Sequence, residues 1–490
     1  MNYITKINYS LFSNGTTGQT IAKNITWQFF GTFSNKLLSL FLIIFAARIL
    51  GAEGYGQFTF ALAFASLFVV LSEFGLSDII KREFAREGEN KDAFCAILSL
   101  KLVLVFLTFL LIVAVSMLTI DSSKIQLLVL IIGTFLLMNS LIGTAYSYFH
   151  AQQRMEYEAW LEILQMVLLV SLGLFVLFQF PSTQNLSYAY ALSAAITLVV
   201  TAVFFSIKLF PLRLRWDIVV WKKYLTMSLP LAFSAIFAIV YSYIDSVMLG
   251  YWGLLEQTGW YNAAQRVMLA TLLPMGFIAS GFYPALSKFS KDSKEHFQKK
   301  WSQELEWMII IALPLVAGGI LLASGIILFL YSTEYAPAIL ALQILLLTAG
   351  VNFLFRPFYD VMIILNHQNQ LFKITLLGVL MNVILNFILI PLYGLYGAAA
   401  ATLVTYSLLL FVTMLFVRKM TYIRLPLSRI GVTMLTAGVS IYVMCMGLRY
   451  LLLSQVHILI LILAGGVLYT GVFFLFRRYI VQTFFKEYYV

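Results

Sequence analysis

The sequence predicts an all-α integral membrane protein with about fourteen transmembrane helices, and three observations carry that prediction. Hydrophobic residues make up 61% of the 490 residues and charged residues 11%, with a mean hydropathy of +0.92. Soluble domains are about half apolar and roughly a quarter charged, so water alone could not solvate this chain. Apolar runs of twenty or more residues recur between short polar breaks, as crossing ~30 Å of hydrocarbon requires. Lysine and arginine fall in alternate breaks, as loops on one side of a bilayer would have them.

In chain order the apolar runs are 26–50, 57–79, 93–118, 125–148, 159–180, 188–210, 224–249, 259–286, 307–331, 337–365, 371–392, 397–417, 427–450 and 456–476. They are too long and too uniformly apolar for barrel strands, which alternate over ~10 residues, so helices are the one spanning structure that fits. Gly51, Gly54 and Gly56 separate the first pair. Lys81, Arg82, Arg86 and Lys91 follow the second run, Lys208 to Lys223 the sixth, and Lys288 to Lys300 the eighth. Counted over the whole chain, one set of alternate connections holds 24 basic residues and the other at most three, Lys124 with Arg48 and Arg449 at helix ends. That bias places both termini in the cytoplasm, fits an even number of crossings, and checks the span count independently. The expected location is the inner, cytoplasmic cell membrane. Residues 1–24 contain no apolar core, so no cleavable signal peptide is expected. Trp216, Trp221, Tyr224, Tyr251, Trp252, Trp260 and Tyr261 gather at proposed span edges, where amphipathic rings favour the headgroup level.

Several function classes fall away. The net charge of +11 lies in short loops facing an anionic leaflet, so it does not point to nucleic acid. Cys95 and Cys445 fall in distant runs and are not expected to form a disulfide. His150, His296, His367 and His457 are scattered, with no zinc-ligand spacing. The spacing Gly51-x-x-Gly54-x-Gly56 precedes a span and not a Rossmann helix, and there is no phosphate-binding loop. The longest outer connection, 251–258, holds one acid, Glu256, too little for a catalytic pair. The chain is therefore expected not to be an enzyme and to need no cofactor.

A weak repeat organises the chain. Leu50-Gly51 and Gly56 recur as Leu249-Gly250 and Gly259, and Pro181 recurs as Pro391, at offsets of 199, 203 and 210 residues. Six helices per unit would relate two halves by an axis along the membrane normal. The expected segments are a cytoplasmic N-terminal stretch 1–25, a six-helix lobe 26–210, a linker 211–223, a second six-helix lobe 224–417, helices thirteen and fourteen at 427–476, and a tail 477–490. Pro230, Pro274, Pro314 and Pro357 fall inside runs seven to ten, where each would kink its helix or let the second half bend.

The residues resemble a known family. The stretch from Ala47 to Phe58, Glu73-Phe74-Gly75-Leu76, Asp245-Ser246-Val247-Met248-Leu249-Gly250, Gly259-Trp260-Tyr261-Asn262, Pro284-Ala285-Leu286-Ser287, and Asn382 and Asn386 followed by Pro391 to Ala399 are similar, in order and spacing, to the polysaccharide-export branch of the multidrug/oligosaccharidyl-lipid/polysaccharide (MOP) flippase superfamily. The resemblance implies a MATE/MOP-like fold of two six-helix lobes plus two C-terminal helices. It implies a Wzx-type flippase that carries a polyprenyl-pyrophosphate-linked oligosaccharide, an O-antigen, capsule or exopolysaccharide repeat unit, from the cytoplasmic to the outer leaflet by alternating access. Its partners would be that lipid-linked oligosaccharide, membrane lipids and the glycan polymerase or export machinery. Two other readings are a multidrug or organic-cation antiporter of the same superfamily and, less well supported, a membrane glycan polymerase or transferase.

Charges inside the spans are the candidate site. One at the bilayer centre costs ~2.5–3.5 kcal/mol, so each needs a partner, water or a charged ligand. Lys36, Lys101, Arg266 and Arg356 are the candidates to meet a pyrophosphate headgroup. Lys36 has no partner on its own helix. Lys101 could instead snorkel to the cytoplasmic surface. Arg356 could pair with Asp360 four residues on, and Arg266 with Asp245 at similar depth. Glu73, Asp245 and Asp360 are the candidates for coupling to Na⁺ or H⁺.

Overall fold

The computed structural model describes residues 17–88, 90–453 and 456–484. Most of the expected 1–25 stretch, the end of the 477–490 tail, and Lys6 and Lys486 from the charge count lie outside them. Every extended element among these residues is helical: α1 (Thr17–Glu73), α2 (Leu76–Glu87), α3 (Lys91–Thr119), α4 (Ser123–Ala151), α5 (Met155–Gln179), α6 (Thr183–Lys208), α7 (Ile218–Tyr251), α8 (Leu255–Thr271), α9 (Leu273–Asp292), α10 (Lys294–Leu330), α11 (Ala338–Ile364), α12 (Gln368–Tyr393), α13 (Leu395–Met420), α14 (Leu427–Leu453) and α15 (Ile458–Phe484). Among the described residues, thirteen stretches are long and apolar enough to cross a membrane. The first, Ser34–Arg86, carries both of the first two expected crossings. Gly51, at φ 70 and ψ 177, breaks its helical path between them, a conformation that costs glycine little and other residues much.

Local chemistry sets the other breaks. Phe74 and Gly75 have positive φ, which ends α1 and starts α2. Asn90, Ser182, Asp217 and Ser293 each accept a hydrogen bond from a first-turn backbone N–H, capping α3, α6, α7 and α10. The expected eighth run is interrupted at Leu272, so that Pro274 sits in the first turn of α9 instead of inside a helix. A missing N–H costs nothing there. Pro230, Pro314 and Pro357 do lie inside α7, α10 and α11.

Two compact units divide the chain at Gly259. In the first, α1 packs on α3, α4, α5 and α7, and α4 on α6. One core joins Leu42, Phe58, Phe64, Ile132, Leu169 and Tyr190. A second, at the lysine-rich end, is aromatic, with the rings of Phe94 and Phe205 stacked at 5.0 Å. Trp221 donates to the carbonyl of Ala96 (2.8 Å), tying α7 to α3. Exposed Trp216 and Tyr251 suit headgroup anchors, whereas Tyr224 and Tyr261 are buried and serve the core.

In the second unit α10 is the axis. It packs on α9, α11, α14 and α15, and α13 packs on α11 and α12. Glu306 of α10 receives Arg477 of α15 (2.6 Å) and the hydroxyl of Thr433 of α14 (2.8 Å). Tyr469 donates to the carbonyl of Ile310 (2.9 Å). The last two helices are thus fastened to the ninth expected crossing. Both cysteines are free thiols.

Gly56 and Gly259 meet in a close backbone approach within the first unit. A Cβ on Gly56 would collide with the Leu255 carbonyl oxygen, and one on Gly259 with that of Ala52. Gly276 of α9 has nothing within 4 Å of that position. Gly56→Ala is therefore expected to cost more than the ~1–3 kcal/mol of ordinary overpacking and to lower membrane abundance and melting temperature, while Gly276→Ala leaves both near wild type. Fluorescence-detected size-exclusion of tagged variants measures both.

Candidate functional site

Each unit places its deep charges differently. In the first, Lys36 of α1 is exposed, and among the described residues no ion pair involves it. Lys101 is the opposite case. It is completely buried in α3, and its ammonium lies 2.9 Å from Glu73 Oε1 at the end of α1's second crossing. It does not snorkel to the surface. The other oxygen of Glu73 accepts from Ser77 (2.8 Å), and Ser72 and Ser140 join hydroxyls beside it (2.8 Å). An ammonium with a carboxylate at contact distance gains more than it would by stretching to water through an apolar helix face.

Further carboxylates line the same end of this unit. Lys23 pairs with buried Glu156 (2.9 Å), and His150 contacts Glu158. Gly31 of α1 leaves room for the Glu162 carboxylate, 3.1 Å from where a Cβ would stand. Asp245 of α7 is buried and is engaged by neighbours.

In the second unit Arg356 Nε bonds Asp360 Oδ2 at 3.0 Å, one turn apart on α11. Asp360 is buried, but the Arg356 side chain keeps 35% of its surface exposed and its guanidinium lies over the Tyr359 ring at 5.6 Å. The arginine is therefore held and reachable at once. Arg266 of α8 is half-buried and engaged by neighbours. Beside the Arg356–Asp360 pair lies a third group that sequence reasoning left in a loop. Glu304 of α10 is fully buried, and its carboxyl is within hydrogen-bonding reach of Asp360. The apolar run was read as starting at residue 307, but the helix begins at Lys294. The available signal was helical phase, because Phe297, Trp301, Leu305 and Met308 continue a buried stripe through the polar stretch.

The sequence candidates thus sort into a buried lysine held by a part-buried carboxylate (Lys101 on Glu73), a tethered but accessible arginine (Arg356 on Asp360), an open lysine (Lys36), and two engaged groups (Asp245, Arg266). Lys36 and Arg356 can offer positive charge to an anion without losing a buried ion pair outright. Lys101 could do so only by leaving Glu73 without its cation.

Comparison with known proteins agrees with this architecture. Residues 21–290 match the family described as polysaccharide biosynthesis protein. Among curated proteins, the chain is 22% identical to the probable low-salt glycan biosynthesis flippase Agl15 of Haloferax volcanii, over 91% of this chain and 93% of that protein. It is 27% identical to the probable flippase AglR of the same organism, over 47% of this chain and about half, 49%, of AglR. Its fold matches the lipid II flippase MurJ in an inward closed conformation with TM-score 0.76 at 16% identity, covering 93% of this chain and all of that one. An inward-facing multidrug MATE transporter of the MOP superfamily matches with TM-score 0.65 at 15% identity, covering 79% of this chain and 94% of that one.

Breaking the Lys101–Glu73 pair tests its role. Lys101→Met should cost up to about 3 kcal/mol, the low end for breaking a buried pair because Glu73 keeps 31% of its side chain exposed, and should lower folded protein in the membrane. Adding Glu73→Gln to it should recover most of that loss. Thermal melts of the two single variants and the double variant measure the coupling.

Proposed function

Because the chain belongs to the polysaccharide biosynthesis protein family, within the MOP flippase superfamily, we propose that it is a flippase for polyprenyl-pyrophosphate-linked oligosaccharide. The lipid-linked repeat unit of an O-antigen, capsule or exopolysaccharide moves from the cytoplasmic to the outer leaflet, and the binding site is exposed alternately to the two sides. The observation that carries this reading is Lys36, a cation midway along an apolar crossing that is exposed and has no ion pair among the described residues. Left in hydrocarbon it would cost ~2.5–3.5 kcal/mol. An anionic headgroup offsets that cost during passage, and water does so before and after. In the second unit Arg356 can itself offer positive charge to an anion, but only by giving up part of its contact with Asp360. Weak holding suits a carrier, because a site that binds the headgroup too tightly does not release it.

The names of the relatives support the class of cargo: two are called flippases, one of them in glycan biosynthesis, and the structural match named for lipid II covers more of this chain than the multidrug one. A multidrug antiporter would need acidic groups presented to a cationic drug. Here Glu73, Asp245, Glu304 and Asp360 are buried or already hold a cation. The proposed setting is the cytoplasmic membrane with both termini inside, where lipid-linked precursors are assembled.

In proteoliposomes carrying a labelled lipid-linked oligosaccharide, leaflet-resolved translocation should fall at least about tenfold in Lys36→Ala, equivalent to about 1.4 kcal/mol, with abundance unchanged. Lys36→Arg should keep a good part of the rate. Unchanged translocation in Lys36→Ala, or loss of the variant from the membrane, would overturn the assignment of Lys36. Drug efflux without any translocation of the glycan lipid would overturn the cargo.

A further inference from the structure

The buried carboxyl of Glu304 has no hydrogen-bond donor. Neither of its oxygens, nor Asp360 Oδ1, has a partner among the described residues. The nearby indole N–H of Trp301, one turn earlier on α10, is committed to the carbonyl of Pro357 at 3.2 Å. Glu304 and Asp360 are neighbouring carboxyls that act on each other, both of them acceptors, and Arg356 is the cation that acts on both. Two carboxylates against one guanidinium would leave a net negative charge in a fully enclosed site. Two like charges this close, away from bulk water, repel strongly. One proton between them removes that charge, turns the facing acceptors into an O–H···O bond, and satisfies two of the three orphaned oxygens.

The helices packed around the pair carry other charges, beginning with Lys294, Glu295, His296 and Lys299 in the first turns of α10. On α10, Lys300 bonds Gln303, and Glu306 is held by Arg477 of α15 and Thr433 of α14. Lys288, Lys291 and Asp292 lie on α9, His367 and Lys373 at the start of α12, Arg418 and Lys419 at the end of α13, and Arg429 at the start of α14. The charges that act on Glu304 are Asp360 and Arg356. A cavity of about 550 Å³ at the lysine- and arginine-rich end of this unit has Trp301 and Phe358 in its wall, one turn of α10 from Glu304 and two residues of α11 from Asp360.

We propose that Glu304 and Asp360 form a proton-binding site that holds one exchangeable proton, and that Arg356 controls its occupancy. While Arg356 holds Asp360, that carboxylate stays ionised and Glu304 carries the proton. When the partly exposed Arg356 side chain is drawn to an anionic headgroup, Asp360 loses its cation and the pair takes up a second proton from water. Release of that proton restores the Arg356–Asp360 bond and frees the headgroup. By linkage, anion binding raises proton affinity, and protonation raises anion affinity by the same factor. The control by Arg356 rests on the proposed flippase reading; the proton site itself does not.

Infrared difference spectra of the purified protein in nanodiscs, taken as pH is stepped upward, test the site. Wild type should show a protonated-carboxyl C=O band that disappears at high pH and is missing from both Glu304→Gln and Asp360→Asn, each near-isosteric, so that either one that folds suffices. A band unchanged in the variants, or no such band in wild type, overturns the proton site. Inorganic pyrophosphate is then added, with its binding followed by calorimetry. It should enlarge the band in wild type and not in Arg356→Gln. Binding without any change in the band overturns the control by Arg356 and leaves the flippase reading standing. No binding at all counts against the anion site itself and takes the Arg356 control with it, while the proton site stands on the first measurement.

Discussion

Hydrocarbon does not solvate charge, and that constraint arranges every ionic group in this protein. A carboxylate or ammonium taken out of water loses several kcal/mol that only a close counter-ion, or a ligand bearing one, restores. The chain meets the constraint in graded ways. Lys101 and Glu73 are locked together at 2.9 Å with serine hydroxyls around them. Arg356 and Asp360 are joined at 3.0 Å with the arginine left partly open. Lys36 stands without an ion pair among the described residues. The grading separates roles, since a pair that is closed holds helices together and a cation that is open or half-open has charge to offer.

The same constraint acts on the backbone. Helices satisfy their own amides, so irregular geometry is confined to a few glycines and helix ends. Gly51 and Gly75 turn the chain at positive φ. Gly56 and Gly259 let two segments approach until no Cβ fits between them. Such contacts replace the hydrophobic drive that lipid tails cannot supply between membrane helices. In the second unit polar fasteners do comparable work. Glu306, Arg477 and Thr433 tie the final two helices to α10, a connection that a family built on twelve helices would not need.

Much of this was legible from the residues. Run length and loop charge gave the crossings in order, and the helix breaks at Gly51, Gly75 and Gly394 fall in the motifs that carried the family resemblance. The pairing of Arg356 with Asp360 was open to sight because four residues make one helical turn. Lys101 was harder. Its partner is 28 positions away on another helix, and nothing in local spacing distinguishes a lysine that snorkels from one that meets a distant carboxylate. Glu304 was missed for a related reason. Its neighbourhood in sequence is polar, so hydropathy ends the span short of it, although the helix and its buried stripe run on.

Composition and periodicity alone determined that this chain lives in a bilayer, that it is helical, how many times it crosses, and where its costly charges sit along each crossing. These follow from one-dimensional facts, because the solvent and the 1.5 Å helical rise convert sequence position into depth. Which charge meets which was decided only in three dimensions. Lys101 is closed by Glu73, Glu304 is set against Asp360, and Lys36 is left open because of helix rotation and packing, which bring together faces that the sequence keeps far apart. A Coulomb interaction depends on separation in space, and separation along the chain carries that information only within a single turn of helix.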